Sequence, residues 1–249
     1  MSTTTGLPPP RSLLGPISLS QVNSLPSLLL SYLRVPPPAP DGGDVENYAL
    51  IPMLRRGAKR IVLFANVITP LNVTWDANQR PPLGPSRAGI LGGGGDMDDA
   101  LAAFFGVFMD PLNERGWNYR MNQIFHADDL TPLVQQLQAG ARAGTGAVAR
   151  MNLTTISNEH WGVAGGLEVD ITWVYLSRCL EWERELSPEI REKVVPKNGV
   201  NDTMKLVRGG PFDSFPHYPT GRLHYTPEQA NLLAALGEWT VLANAPLFR

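Results

Sequence analysis

The stretch 41–66, DGGDVENYALIPMLRRGAKRIVLFAN, decides how this chain is read. Gly42 and Gly43 follow Asp41 directly, so the backbone can turn sharply there and come close where a side chain would clash. From Asp44 onward, Val45, Tyr48 or Ala49, Ile51 and Met53 to Leu54 recur at near-helical spacing. The segment opens on acids and closes on Arg55, Arg56 and Gly57, which suits the helix dipole and predicts a short helix from Asp44, with Pro52 disturbing its middle. KRIVLFAN, at 59–66, is a short apolar run between polar residues and predicts a strand buried on both faces. Loop, helix and buried strand thus follow one another within one short segment.

Upstream, Met1 to Pro40 alternates Pro-rich and Leu/Ser-rich pieces, such as SLPSLLLSYLRVPPPAP at 24–40. Prolines at that density block both a continuous helix and a central strand, so residues 1–40 are expected to be a largely disordered leader. A folded domain is expected over residues 41–249. Downstream, 69–95 reads as loop, ending in the glycines Gly92 to Gly95, and Asp96 to Asp110 resumes helical spacing through Met97, Leu101, Phe104, Phe105 and Phe108. Asp128 to Gln138 predicts an amphipathic helix, with AGARAGTGA (139–147) as a flexible stretch after it, and Val148 to Ile156 predicts a strand. Leu167, Val169, Ile171, Trp173 and Tyr175 alternate with Glu168, Asp170 and Thr172, the period of a second strand. Further helices are predicted at Cys179 to Leu186, from Ser187-Pro188-Glu189, and from Thr226, where Thr-Pro-Glu-Gln has capping-box spacing.

Composition narrows the function classes. The chain has 249 residues, 43% hydrophobic and 18% charged, with 24 glycines and 23 prolines, which describes a globular domain rich in loops. A formal net charge of -2 and the lack of any basic run give no electrostatic reason to bind nucleic acid. The single cysteine, Cys179, cannot form an internal disulfide, and no apolar stretch reaches the roughly 20 residues that span a bilayer. The N-terminus lacks the features of a secretory signal. A reduced, cytoplasmic setting is therefore expected.

The segment from Asp41 closely resembles the stretch after the catalytic aspartate in patatin-like and cytosolic phospholipase A2-like acyl hydrolases. Those proteins follow Asp-Gly-Gly or Asp-Gly-Ala with Glu-Asn or Asn-Asn, a helix, basic residues and a buried strand. The resemblance extends through LEVDITWVYL (167–176), EWERELSPEIREKV (181–194), FPHYPT (215–220) and the closing helix, covering about Asp41 to Asn244. It is least distinctive over Asn72 to Gly146. It implies an α/β fold with three layers, a mainly parallel sheet flanked by helices. It also implies a serine–aspartate dyad in which Asp41 takes the proton of a serine attacking a lipid ester, with Gly42 and Gly43 shaping the loop and Asn47 supporting it. The implied substrate is a lipid or phospholipid, met at a membrane surface by peripheral contact, and no cofactor or metal is expected.

The sequence departs from the family in one decisive respect. Members carry the nucleophile in Gly-x-Ser-x-Gly ahead of the aspartate, after a glycine-rich oxyanion loop, and neither motif occurs here. VPPPAP (35–40) stands where a strand should deliver the aspartate. The expectation is a carboxy-terminal half-domain lacking its first strands and nucleophile elbow, inactive as it stands. The alternative is a non-catalytic binding or scaffold protein built on that fold. Gly92 to Gly95 lacks the Lys and Ser/Thr of a phosphate-binding loop, and His126, His160, His217 and His224 are scattered, so neither group points to a site of its own.

Overall fold

Helical periodicity in this chain is interrupted wherever glycine or proline supplies a better local solution, and several of the helices are accordingly short. In the computed structural model the described residues are 46–78, 96–107, 121–195, 212, 214–218, 222 and 224–249. All of them belong to the unit spanning Asp41–Arg249. Asp41, Gly42, Gly43, the expected leader, Gly92 to Gly95 and the expected helix end at 108–110 lie outside the described residues.

The first helix, α1, spans Leu50–Arg55 and is followed by strand β1, Arg60–Ala65. The helix begins well after the acids at 44–46 that suggest its start. Starting at Leu50 places Pro52 in the first turn, where a backbone amide has no intrahelical acceptor to lose. Helix α2 is only Asp99–Ala103, capped by the Asp98 side chain accepting from the Leu101 amide at 3.0 Å. The chain then leaves helical geometry at Gly106, whose φ of 70° is cheap for glycine alone. A 3-10 turn, Ala127–Asp129, leads into α3, Leu130–Ala143. This helix takes in residues 139–143 of the alanine- and glycine-rich stretch expected to be flexible and ends at Gly144. A side-chain carbon on Gly140 would lie 2.4 Å from the Gly146 carbonyl oxygen, so glycine is what lets the helix pack against the start of the next strand.

Strands β2, Ala147–Thr154, and β3, Glu168–Tyr175, complete a sheet of order β1-β3-β2. The β1–β3 pairing is parallel, with Val62 opposite Thr172, and β2–β3 is antiparallel, with Arg150 opposite Thr172. The fold is thus α/β on a small mixed sheet among the described residues. Odd-numbered side chains from all three strands face α1, α2 and α3 and form the main core, with Leu63, Ala149, Ile171 and Trp173 buried. Trp173 sits at its centre, 6.0 Å from Phe105 and 6.5 Å from Phe125 between ring centroids. Burying aromatics of this size contributes roughly 2–3 kcal/mol each.

The opposite face is covered differently. Helices α4, Leu180–Glu185, α5, Pro188–Val194, and α6, Pro227–Ala243, form a second buried cluster with Phe215 and Tyr218, and Leu176 touches both clusters. After α6 a 3-10 turn, Ala245–Phe248, returns to the sheet, where Thr172 donates to the Leu247 carbonyl at 2.9 Å and Arg150 donates to the Arg249 carbonyl at 2.6 Å. Among the described residues that cover reaches β1 at its first residue, where Arg60 donates to the Phe248 carbonyl at 2.7 Å, and leaves the rest of that face open. Val62 and Phe64 are 43% and 58% exposed, so β1 is buried on one face, not on both as its composition suggests. A strand rich in Ile, Val and Phe reads the same whether or not a second layer is present to cover it.

The closing helix follows its sequence signature closely. Thr226 and Gln229 form the reciprocal capping box, and Leu236 and Thr240 are buried on one face. No helix among the described residues is long and apolar enough to cross a membrane.

Candidate functional site

In sheets of this kind, ligand-binding crevices form beyond the carboxyl ends of parallel strands. Here β1 and β3 run parallel and end at Ala65 and Tyr175. The residues that follow the Asp-Gly-Gly motif are fastened at that end. The Glu46 carboxylate accepts the Tyr48 amide, and the Leu50, Ala49 and Ile51 amides also point to it. Burial raises its pKa and those amides oppose the rise. Ala49 turns the chain into α1 with a φ of 56°, an uncommon conformation for a residue with a side chain.

Tyr48 supplies the second anchor. Its hydroxyl donates to Asp98 Oδ1 at 2.5 Å, while the Asp98 amide donates to the Tyr175 hydroxyl at 2.9 Å. Tyr175 in turn donates to the Thr69 carbonyl at 2.6 Å. One chain of hydrogen bonds therefore ties the loop before α1, the cap of α2, the last residue of β3 and the segment after β1. Burial raises the Asp98 carboxyl above its ordinary range, against the Tyr48 hydrogen bond and the Leu101 and Ala100 amides. Burial, reinforced by the Asp98 and Asp99 charges, also pushes the Tyr175 phenol well up. Tyr175 stays neutral and can donate.

His217 closes the same end of the sheet. Its ring is buried, and Nδ1 lies 2.9 Å from the Val67 carbonyl just past β1. A carbonyl only accepts, so Nδ1 carries the proton. Burial pushes the imidazole down to about 4, with the Arg178 charge adding to the effect. Arg178 itself donates to Glu183 Oε1 at 2.7 Å.

Of the residues expected at the site, Asn47 is exposed and makes no hydrogen bond to the described residues, while Asp41, Gly42 and Gly43 precede them. Within the described residues the task of holding the loop falls to Glu46 and Tyr48. Neither Asp98, Tyr175 nor His217 was legible as part of this site. Asp98 does precede a run with helical spacing, which is a cap signal, but nothing in the sequence joins it to Tyr48 or Tyr175. Chemically, the Glu46 and Asp98 carboxylates are committed to backbone amides and the Tyr48 hydroxyl.

The remaining reactive groups lie apart. Cys179 is buried with Sγ 3.4 Å from Thr240 Oγ1, and burial pushes the thiol up to about 11, far from a reactive thiolate. His126, His160 and His224 are exposed. Among the described residues no three His, Cys, Asp or Glu side chains converge as metal ligands. Compared with family models, curated proteins and solved structures, the chain matches none.

Proposed function

We propose that this chain is the carboxy-terminal part of a lipid acyl-ester hydrolase of the patatin-like and cytosolic phospholipase A2-like class. Asp41 is the base of a serine–aspartate dyad whose serine is not in this sequence, and the chain alone does not hydrolyse esters. The supporting observation is the anchoring of the segment after Asp41. Glu46 and Tyr48 fasten it at the carboxyl ends of the parallel strands β1 and β3, where an α/β enzyme carries its site. In this reading Gly42 and Gly43 let the chain turn sharply at Asp41, and Asn47 supports that loop. In the complete domain the sheet is mainly parallel and flanked by helices in three layers, and the exposed Val62 and Phe64 of β1 are covered by a layer this chain lacks. The substrate is a lipid or phospholipid, reached by peripheral contact with a membrane from the cytoplasm.

The decisive test begins with the coding sequence upstream of Met1. The proposal expects Gly-x-Ser-x-Gly there, and an uninterrupted upstream frame without it would end the enzyme reading. With the elbow restored, the longer protein should react with a fluorophosphonate serine probe and cleave short-chain esters, whereas Asp41→Asn should lose cleavage with unchanged circular dichroism. Retained cleavage in that variant would refute the role given to Asp41.

A further inference from the structure

A groove of about 280 Å³ lies between α4 and α6, and none of Glu46, Tyr48, Asp98 and Tyr175 lines it. Each helix lines it with a single stripe. From α4 come Trp182 and Glu185, spaced i, i+3, with Leu186 just past its end, and from α6 come Ala235, Glu238, Trp239 and Leu242, spaced i, i+3, i+4, i+7. Each stripe therefore brings one indole and one carboxylate to the same opening. Ala235 leaves room because its side chain ends at the first carbon. Trp182 is buried and fixed from behind by stacking on Phe215, with ring centroids 6.0 Å apart. Leu242 stands 67% exposed at the lip.

The charges around the groove are uneven. Glu181, Glu183, Glu189 and Glu228 on the same group of helices are paired with Arg184, Arg178 or Lys193. Glu185 and Glu238 have no ion-pair partner among the described residues, and no Lys or Arg lines the groove. An opening with the half-buried Trp239 indole, apolar walls and two carboxylates that lack an ion-pair partner among the described residues selects a cation that has apolar surface to bury. A metal ion or a primary ammonium would have to shed tightly held water against Leu186 and Leu242. A methylated ammonium sheds little, and its diffuse positive charge suits both the Trp239 ring and the carboxylates. The volume is below the roughly 300–1,000 Å³ of sites that enclose drug-sized ligands, which fits a headgroup-sized ligand.

We propose that the groove between α4 and α6 binds a trimethylammonium group, such as that of free choline or of a choline headgroup. The proposal rests on the groove alone, so its failure leaves the reading of Asp41 untouched, and the converse holds. The test is titration of the 249-residue chain with tetramethylammonium and choline at constant ionic strength, followed by NMR or calorimetry. Binding should saturate, and Glu238→Gln, Glu185→Gln and Trp239→Ala should each weaken it, the last by on the order of tenfold. Glu238 is exposed, so its variant keeps the fold even if Trp239→Ala does not. The uncharged carbon isostere of choline should not compete. Sedimentation with phosphatidylcholine vesicles but not phosphatidylglycerol vesicles, lost in Glu238→Gln, identifies the lipid headgroup as the source. Choline binding without vesicle binding identifies a soluble source. No saturable binding, equal affinity for the uncharged isostere, or unchanged affinity in Glu238→Gln would overturn the proposal.

Discussion

His217 should make this protein lose stability as the solution is acidified, and the size of the loss follows from its surroundings. In the folded chain burial beside Arg178 holds its pKa near 4, against 6.5 for an ordinary histidine. A group depressed on folding takes up its proton more readily in the unfolded chain. Its neutral form therefore supports the fold fully above pH about 6.5, and that support drains away as pH falls toward 4. At about 1.4 kcal/mol per tenfold change in proton affinity, the loss is about 1.4 kcal/mol at pH 5.5 and approaches about 3 kcal/mol near pH 4. Glu46, Asp98 and Asp170 also take up protons on acidification, so the His217 contribution must be isolated by difference. Urea unfolding of the wild type and His217→Gln at several pH values between 7.5 and 4 does this. The wild type should be the more stable at pH 7.5, by about 1–2 kcal/mol for the Nδ1 hydrogen bond and ring packing, and its advantage should shrink and then reverse on acidification. An NMR titration of the His217 ring gives the pKa directly. Stability curves that stay parallel, or a ring that titrates near 6.5, would refute the reasoning.

Three further outcomes are expected. Tyr175→Phe removes the hydroxyl shared by the Asp98 amide and the Thr69 carbonyl, and should cost about 2 kcal/mol in urea unfolding, while Val62→Ala on the exposed sheet face costs less than about 1 kcal/mol. Gly140→Ala should destabilise by about 1–3 kcal/mol despite the better helix propensity of alanine, because its methyl meets the Gly146 carbonyl; Gly237→Ala, with nothing within 4 Å, should gain about 0.5–1 kcal/mol. Asp170 accepts a two-pronged contact from Arg150, at 2.9 Å to Nε and 2.6 Å to the terminal nitrogen, which lowers its pKa below the ordinary 3.8. Asp170→Asn should cost about 1 kcal/mol at pH 7, and the difference should vanish as pH falls through the depressed folded-state pKa.

Where a segment carried its own punctuation, it was legible. Thr226-Pro227-Glu228-Gln229 specifies a helix start through reciprocal side-chain caps, and α6 begins there. Ser187 caps α5 by accepting the Ile190 amide, again as the Ser-Pro-Glu spacing implies. The alternation of Val169, Ile171 and Trp173 gave β3 its buried face. Elements whose limits depend on a distant partner were misjudged. At Gly140 the helix packs so closely on the Gly146 carbonyl that a side chain would clash, and Val62 and Phe64 are exposed because no described layer covers that part of β1. Leu50 opens α1, later than the acids suggest, where the Glu46 carboxylate accepts the amides of Tyr48, Ala49, Leu50 and Ile51 around the helix start.

By itself the sequence determined where the three strands and most of the described helices fall, and the α/β class. These are properties of neighbouring residues: periodicity, caps and turns act over a few positions. Only the tertiary structure decided that Tyr48, Asp98, Tyr175 and Thr69 form one hydrogen-bonded chain at the carboxyl ends of β1 and β3, and that the sheet is mixed. It also decided that Trp182 and Trp239 line one groove with Glu185 and Glu238. The hydrogen bonds of that chain join residues 50 to 106 positions apart. Nothing in the local pattern fixes them, because packing and strand pairing, which act through space, choose the partners.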